Sequence, residues 1–284
     1  MGAGRGFPPH AGHAVILALR PGWLKRQPKS EEAQLSERGA TRLYIPGALA
    51  PGAAIALDPG QTHRLRNVLR LAPGAAVAAF NESAGEWLCR LAEEARGRAV
   101  LLPEHQLRPA MPEPDLWLLF APIKRVRLDW LVEKATELGA AALLPVLTAR
   151  TQPERANRER LRAQAIAAAE QSERLSVPEI HMPERLDRVL AGWPAERRLV
   201  VCDESGAGQP IAAALAELPE ATPIALLIGP EGGFTETELD ALGKLPIVTR
   251  VGLGPRVLRA ETAALAALVV FQAIAGDWRR VRPR

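Results

Sequence analysis

Cysteine is almost missing from this 284-residue chain, which holds only Cys89 and Cys202. They lie far apart in apolar surroundings, a spacing that provides neither a disulfide framework nor a metal cluster. Two buried thiols in a reducing cytosol, and no metal, are therefore expected. Long apolar runs are missing too. The longest near the start, Ala14 to Leu19, is too short for a bilayer, and no convincing small-residue cleavage site follows it. A cytoplasmic protein without a membrane partner is expected. Lysine is scarce, so nearly all of the 36 cations are arginines, on a net charge of +4 and a pI of about 9.5. Planar guanidinium groups suit bidentate phosphate contacts, which favours nucleic acid over membrane. Both familiar phosphate loops are lacking: there is no Gly-Lys-Ser/Thr, and Gly252-x-Gly254 has no third glycine at Val257. A ligand of this chain is not expected to be held by its phosphates.

What is present suffices for two domains and a sizeable core, since 48% of the residues are apolar and 24% charged. Two stretches organise the C-terminal half. Leu226 to Ile228 is an apolar run that stops at Gly229-Pro230-Glu231-Gly232-Gly233 and restarts as a helix, with Thr235 as N-cap and Glu238 closing a capping box. Val248 to Val251 repeats the plan with a corner at Gly252 to Pro255 and a long buried helix from Ala260 to Ala275. Glycine corners at strand ends are where open α/β sheets bind small ligands, because corner amides and carbonyls lack partners.

Residues 1 to 40 are rich in Gly, Pro, His and charge and read as a disordered or loosely docked extension. Short apolar runs follow at Arg42 to Ile45, Ala54 to Leu57, Ala75 to Phe80, Glu86 to Leu91 and Ala99 to Leu102, which suggests a small β-barrel. Between them, Gln61 to Arg70 predicts a short helix with Leu65, Val68 and Leu69 inward and Arg64, Arg66 and Arg70 around it. Such a cationic helix serves as an RNA platform or as an ordinary solvated face. Prolines 103, 109, 112 and 114 mark a linker, dividing the chain into domains at 41–110 and 115–284. Beyond it, strands at Leu116 to Phe120, Ala141 to Leu147 and Arg198 to Cys202 alternate with helices at Lys124 to Leu138, Pro153 to Ser172 and Ile211 to Leu218. Alternation of that kind predicts a mostly parallel sheet covered on both faces.

Leu227-Ile228-Gly229-Pro230-Glu231-Gly232-Gly233-Phe234, followed by Leu253-Gly254-Pro255-Arg256-Val257-Leu258-Arg259-Ala260-Glu261-Thr262-Ala263, resembles the signature pair of the RsmE-type 16S ribosomal RNA (uridine N3)-methyltransferases of the SPOUT superfamily. The segments Lys134 to Gly139 and Ala167 to Ile180 resemble two further family stretches, as does His63 to Arg70. Leu175 stands where the family usually has Asn, and Ala260 where it usually has Thr. The resemblance implies an α/β, trefoil-knotted SPOUT domain preceded by a PUA-like RNA-binding barrel, S-adenosylmethionine as cofactor, and a homodimer acting on 16S ribosomal RNA within the small subunit.

Carried onto this sequence, the cofactor is expected at Ile228, Gly229, Glu231, Gly233, Gly252, Leu253, Gly254, Val257, Leu258, Thr262 and Ala263. Methylation of N3 needs a cation or amide opposite the carbonyl oxygens of the uracil anion and a base for the imide proton. Arg259 is expected in the first role and Glu261, then Glu170, in the second; the alternative is that Glu261 caps its helix and pairs with Arg259. Expected RNA contacts are Arg42, His63, Arg64, Arg66, Arg70, Lys124, Arg127, Arg150 and Arg174. Ribose 2′-O-methyltransferases of the superfamily share the first corner but end in a Ser-Leu-Asn type motif, which this chain lacks. A cofactor-free assembly factor of the same fold is the other alternative.

Overall fold

The computed structural model describes residues 39–93, 98–151 and 157–279. The expected extension at 1–40 lies outside them up to position 38. The first sheet contains β1 (Arg42–Tyr44) and β2 (Ile55–Ala56), then a helical segment, then β3 (Ala76–Asn81), β4 (Gly85–Glu93) and β5 (Ala99–Arg108), in the spatial order β1-β3-β4-β5-β2. Leu43, Val77, Ala79, Cys89, Leu91 and Leu101 fill its interior. The helical segment differs from expectation. Asp58 closes a capping box with Gln61 and starts α1 (Pro59–His63) two residues early, and Arg64–Val68 then winds as a π-turn, with the Leu69 amide donating to the Arg64 carbonyl at 2.9 Å. The wider turn rotates the later side chains away from the sheet. Leu65 is fully buried, but Val68 is 62% and Leu69 41% exposed, so the expected three-residue apolar face reduces to Leu65.

Pro103 belongs to β5 rather than to a linker. It faces Cys89 beside a register shift, and the outer side of β5 pairs with β2 only at Val100 and Leu101. The missing N–H is therefore tolerated at an irregular, unpaired edge.

The second sheet begins with β6 (Leu116–Phe120), α2 (Arg125–Glu137), β7 (Ala142–Leu147) and α3 (Arg158–Gln171). Asn157 caps α3 by accepting from the Arg160 amide at 2.9 Å; the expected start at Pro153 lies outside the described residues. Two short strands, β8 (Glu179–Ile180) and β9 (Glu184–Arg185), and α4 (Leu186–Ala191) follow in a stretch where the sequence suggests no element. Next come β10 (Arg198–Cys202), β11 (Gln209–Pro210), α5 (Ile211–Ala216), β12 (Ile224–Ile228), α6 (Glu236–Gly243), β13 (Val248–Gly252) and α7 (Ala260–Ile274). The order is β11-β13-β10-β12-β6-β7-β8, and the described pairs are all parallel.

Period-2 alternation distributes the core over both faces. Leu116, Leu118 and Phe120 of β6, Val200 of β10 and Leu226 of β12 point toward α2, α3, α5 and α7. Leu119, Val201, Ala225 and Leu227 point toward α4 and α6 on the other side. The last helix, α7, supplies Ala264, Ala267, Leu268 and Phe271 to the first layer. Gly139, at φ +80°, ends α2 in the left-handed conformation that glycine accepts most readily.

One guanidinium joins the sheets. Arg42 on β1 donates through Nη1 to the Ala169 and Glu170 carbonyls at 2.8 and 2.9 Å, through Nη2 to the Arg174 carbonyl at 2.9 Å, and through Nε to Glu86 at 2.6 Å. It thereby caps the C-terminal end of α3, whose last carbonyls lack helical partners. Around it pack Tyr44, Phe80, Ala169, Leu175 and Val177.

Candidate active site

Strands β12, β10 and β13 are neighbours and end together at Ile228, Cys202 and Gly252, so the three following loops meet at one sheet edge. The loop after β12 is the first glycine corner. Its turn is closed by the Gly233 amide donating to the Pro230 carbonyl at 2.9 Å. The expected capping box is present: the Glu238 amide donates to Thr235 Oγ1 at 3.2 Å, and the Thr235 amide to Glu238 Oε2 at 2.9 Å. The same Glu238 accepts from the Ala149 amide at 2.7 Å, while Arg150 donates to the Gly232 carbonyl at 2.7 Å. The loop after β7 thus braces the corner.

The loop after β13 turns at Gly254, φ +101°, and runs into α7 with Arg259 as an extended N-cap residue. The loop after β10 forms a third wall that the sequence does not single out. Its Asp203 is buried and accepts from the Ser205 amide and hydroxyl, both at 2.9 Å, and from Arg250 Nη2 at 2.5 Å. Burial opposes ionisation of this carboxyl, but the Ser205 amide and hydroxyl and the Arg250 guanidinium outweigh it and hold its pKa below the usual value. Burial pushes the Cys202 thiol the other way, up to about 12, so it lines the site as an inert S–H.

Between the loops lies a cavity of about 220 Å³. Of the expected ligand residues, Ile228, Gly229, Glu231, Gly252, Leu253, Gly254, Val257, Leu258 and Ala263 line it. Gly233 and Thr262 do not. Gly233 acts indirectly, since a Cβ there would sit 1.6 Å from Glu204 Oε1. Thr262 points outward on the first turn of α7. Cys202, Asp203, Glu204 and Gly206 join the lining unforeseen. The available signal was the repeated plan, an apolar strand followed by Asp-Glu-Ser-Gly, without the double glycines of the other two corners.

The expected bases separate. Glu261 is buried on α7 next to the lining residue Ala260 but is not itself in the lining; its Oε1 lies 3.5 Å from Arg127 Nε, and its Oε2 has no hydrogen-bond partner among the described residues. Arg127 also approaches Glu231 at 3.6 Å. Glu170 does not line the cavity. Its carboxylate accepts from the Tyr44 amide at 3.2 Å and from Arg64, which engages it at the junction of the sheets and removes it as a base. Arg259 is exposed and has no ion pair among the described residues, so the alternative pairing with Glu261 is not what the structure holds.

Residues 111–272 match the RNA methyltransferase domain family, and residues 57–104 match the RNA methyltransferase PUA domain. The chain is 30% identical to ribosomal RNA small subunit methyltransferase E of Rickettsia conorii over 80% of its own length and 93% of that protein. It is 32% identical to the protein of that name from Synechocystis, over 87% and 82% of the two chains. The chain belongs to the ribosomal RNA small subunit methyltransferase E family. Among solved structures of the family, the Neisseria gonorrhoeae protein bound to S-adenosyl methionine superposes with a TM-score of 0.74 at 29% identity, covering 84% of this chain and 99% of that one. A parallel α/β sheet after a curled, PUA-like sheet is therefore the architecture of this family member.

In this member of the ribosomal RNA small subunit methyltransferase E family, several expected RNA contacts have other work. Arg42 is a junction clamp, and the side chain of the half-buried Arg174 donates to Glu113 at 2.8 Å and to the Thr136 carbonyl at 2.9 Å. Arg64 pairs with Glu170 and Arg66 with Glu93 at 2.7 Å. Arg150 braces the first corner and Arg127 faces two carboxylates. Carboxylates neutralise the charges of Arg42, Arg64, Arg66, Arg127 and Arg174 locally, and Arg150 is engaged by backbone carbonyls, which lowers their value as phosphate contacts. His63, Arg70 and Lys124 remain exposed.

Proposed function

We propose that this chain methylates N3 of a uridine in 16S ribosomal RNA within the small subunit, using S-adenosylmethionine, as a cytoplasmic knotted homodimer. Residues 41–110 form the RNA platform and 115–284 the catalytic domain. The observation that carries the reading is the cavity at the ends of β10, β12 and β13, with the unpartnered Glu261 oxygen on the helix that starts at its rim. A methyl donor fits this setting. Ile228 and Leu253 supply apolar surface, Gly229 and Gly254 leave main chain open to an adenine, and Glu261 Oε2 keeps its acceptor capacity free. When bound, S-adenosylmethionine supplies an electrophilic methyl group on a sulfonium.

The residues of the chain must position the uracil and move one proton. Glu261 accepts the N3 proton at Oε2, the carboxylate oxygen left without a partner among the described residues. Arg127, 3.5 Å from Oε1, orients the carboxylate. Arg259, extended at the N-cap of α7 and without an ion pair among the described residues, donates to the carbonyl oxygens on which the negative charge of the uracil anion collects. Methyl transfer to small subunits from a strain lacking the corresponding methylation tests the reading. The expected product is 3-methyluridine by nucleoside mass spectrometry; label on a ribose, or none, refutes it. Arg259→Ala is expected to lower turnover by roughly 10²- to 10³-fold with cofactor affinity nearly unchanged. Retained turnover removes Arg259 from the mechanism.

A further inference from the structure

Glu204 is assigned no role by the sequence motifs, yet it lines the cavity. Three carboxylates are in that lining. Asp203 is paired with Arg250, and Glu231 has Arg127 at 3.6 Å, whereas Glu204 has no ion pair among the described residues. Its position is fixed from two sides. Asp203, tied to Ser205 and Arg250, stiffens the turn from which Glu204 projects. Across the cavity Gly233, at φ +66°, leaves the space into which the carboxylate extends, with Oε1 only 1.6 Å from where a Cβ would be. Glu204 is otherwise exposed, so the space left by this left-handed glycine places the carboxylate while leaving it open to a ligand.

Glu204 follows β10, and β12 and β6 separate that strand from α2, which carries Arg127 on the reacting side proposed above. The group it meets is therefore a part of the donor remote from the transferred methyl. We propose that Glu204 is a specificity-determining residue that accepts hydrogen bonds from the ribose diol of the methyl donor, held in place by Gly233. The two oxygens of a carboxylate match the two hydroxyls of a cis-diol, and charge-assisted bonds of this kind are stronger than neutral ones. The proposal rests on the methyl-donor reading.

Calorimetric titration of the full chain tests it with four probes: S-adenosylmethionine, S-adenosylhomocysteine, 5′-methylthioadenosine and 2′-deoxy-5′-methylthioadenosine. Glu204→Gln is expected to weaken the first three alike, by about tenfold, and to weaken the deoxy probe, which keeps only its 3′-hydroxyl, by clearly less. Gly233→Ala, which displaces the carboxylate, is expected to give a similar loss that does not add to that of Glu204→Gln. Equal affinity of wild type and Glu204→Gln for 5′-methylthioadenosine overturns the assignment. A loss confined to S-adenosylmethionine places Glu204 at the sulfonium and overturns it as well. If the wild-type chain takes up none of the four probes, the methyl-donor reading itself has failed, and this inference with it.

Discussion

Replacing Arg42 by Ala removes a guanidinium that joins the two sheets. Its side chain is 13% exposed and donates to three backbone carbonyls and to Glu86, with the Phe80 ring 4.0 Å beneath it. Breaking a buried, hydrogen-bonded ion pair costs about 3–5 kcal/mol. The lower end applies, because Glu86 keeps Arg108 at 2.6 Å while the carbonyls at the end of α3 lose their donor. A loss of about 3 kcal/mol corresponds to a drop in Tm of roughly 6–12 °C for a chain of this size. Arg42→Lys keeps the charge but cannot span four acceptors, so most of the loss is expected to remain. Urea unfolding followed by tryptophan fluorescence reads both halves, through Trp87 in the first sheet and Trp117 in the second. Acid adds a second check. Burial raises the Glu86 pKa, but the bonds from Arg108 and Arg42 outweigh that and hold it below its ordinary 4.5. The stabilisation from this depressed carboxyl is in place above pH 4.5 and is lost as pH falls through the folded-state value. The gap between wild type and Arg42→Ala should therefore narrow below that pH. RNA binding gives the third check. A phosphate contact would reduce the salt slope by about one when removed, whereas a junction clamp leaves it unchanged. Wild-type stability in Arg42→Ala, or a reduced salt slope in correctly folded protein, would refute the clamp.

Two further outcomes follow from the site. Thr235→Ala removes one partner of the capping box at the first glycine corner and should cost about 1 kcal/mol, measured as a shift in the urea midpoint at constant m-value; no shift would mean that Glu238 holds the corner alone. Burial raises the thiols of Cys89 and Cys202 to about 11 and 12 from an ordinary 9.0, so both should resist a disulfide reagent at pH 8 in the folded chain and react on unfolding. Fast labelling of either in the native state contradicts the burial.

The longer strands and helices of the second half were legible because their signals are local, whereas β8, β9, β11 and α4 were not. Thr235 and Glu238 close a capping box within four residues, and the apolar run at Leu226–Ile228 stops at a glycine corner in any context. Most of the cavity lining follows from those corners for the same reason. The π-turn after His63 was not legible, since a pattern of Leu65, Val68 and Leu69 suits an α-helical face and nothing local announces the wider winding. Nor was the third wall at Asp203 to Gly206, because its place beside the other two loops depends on β10 lying between β12 and β13.

The sequence by itself determined which residue types sit at which strand ends, because periodicity, capping and turn chemistry act over a few residues. Only the tertiary structure decided what the charged side chains do. Arg42 and Glu170 are 128 positions apart and Arg64 and Glu170 are 106 apart, and both pairs close at the junction instead of facing RNA or substrate. Charge interactions depend on distance and burial, and neither is set until the sheets have come together.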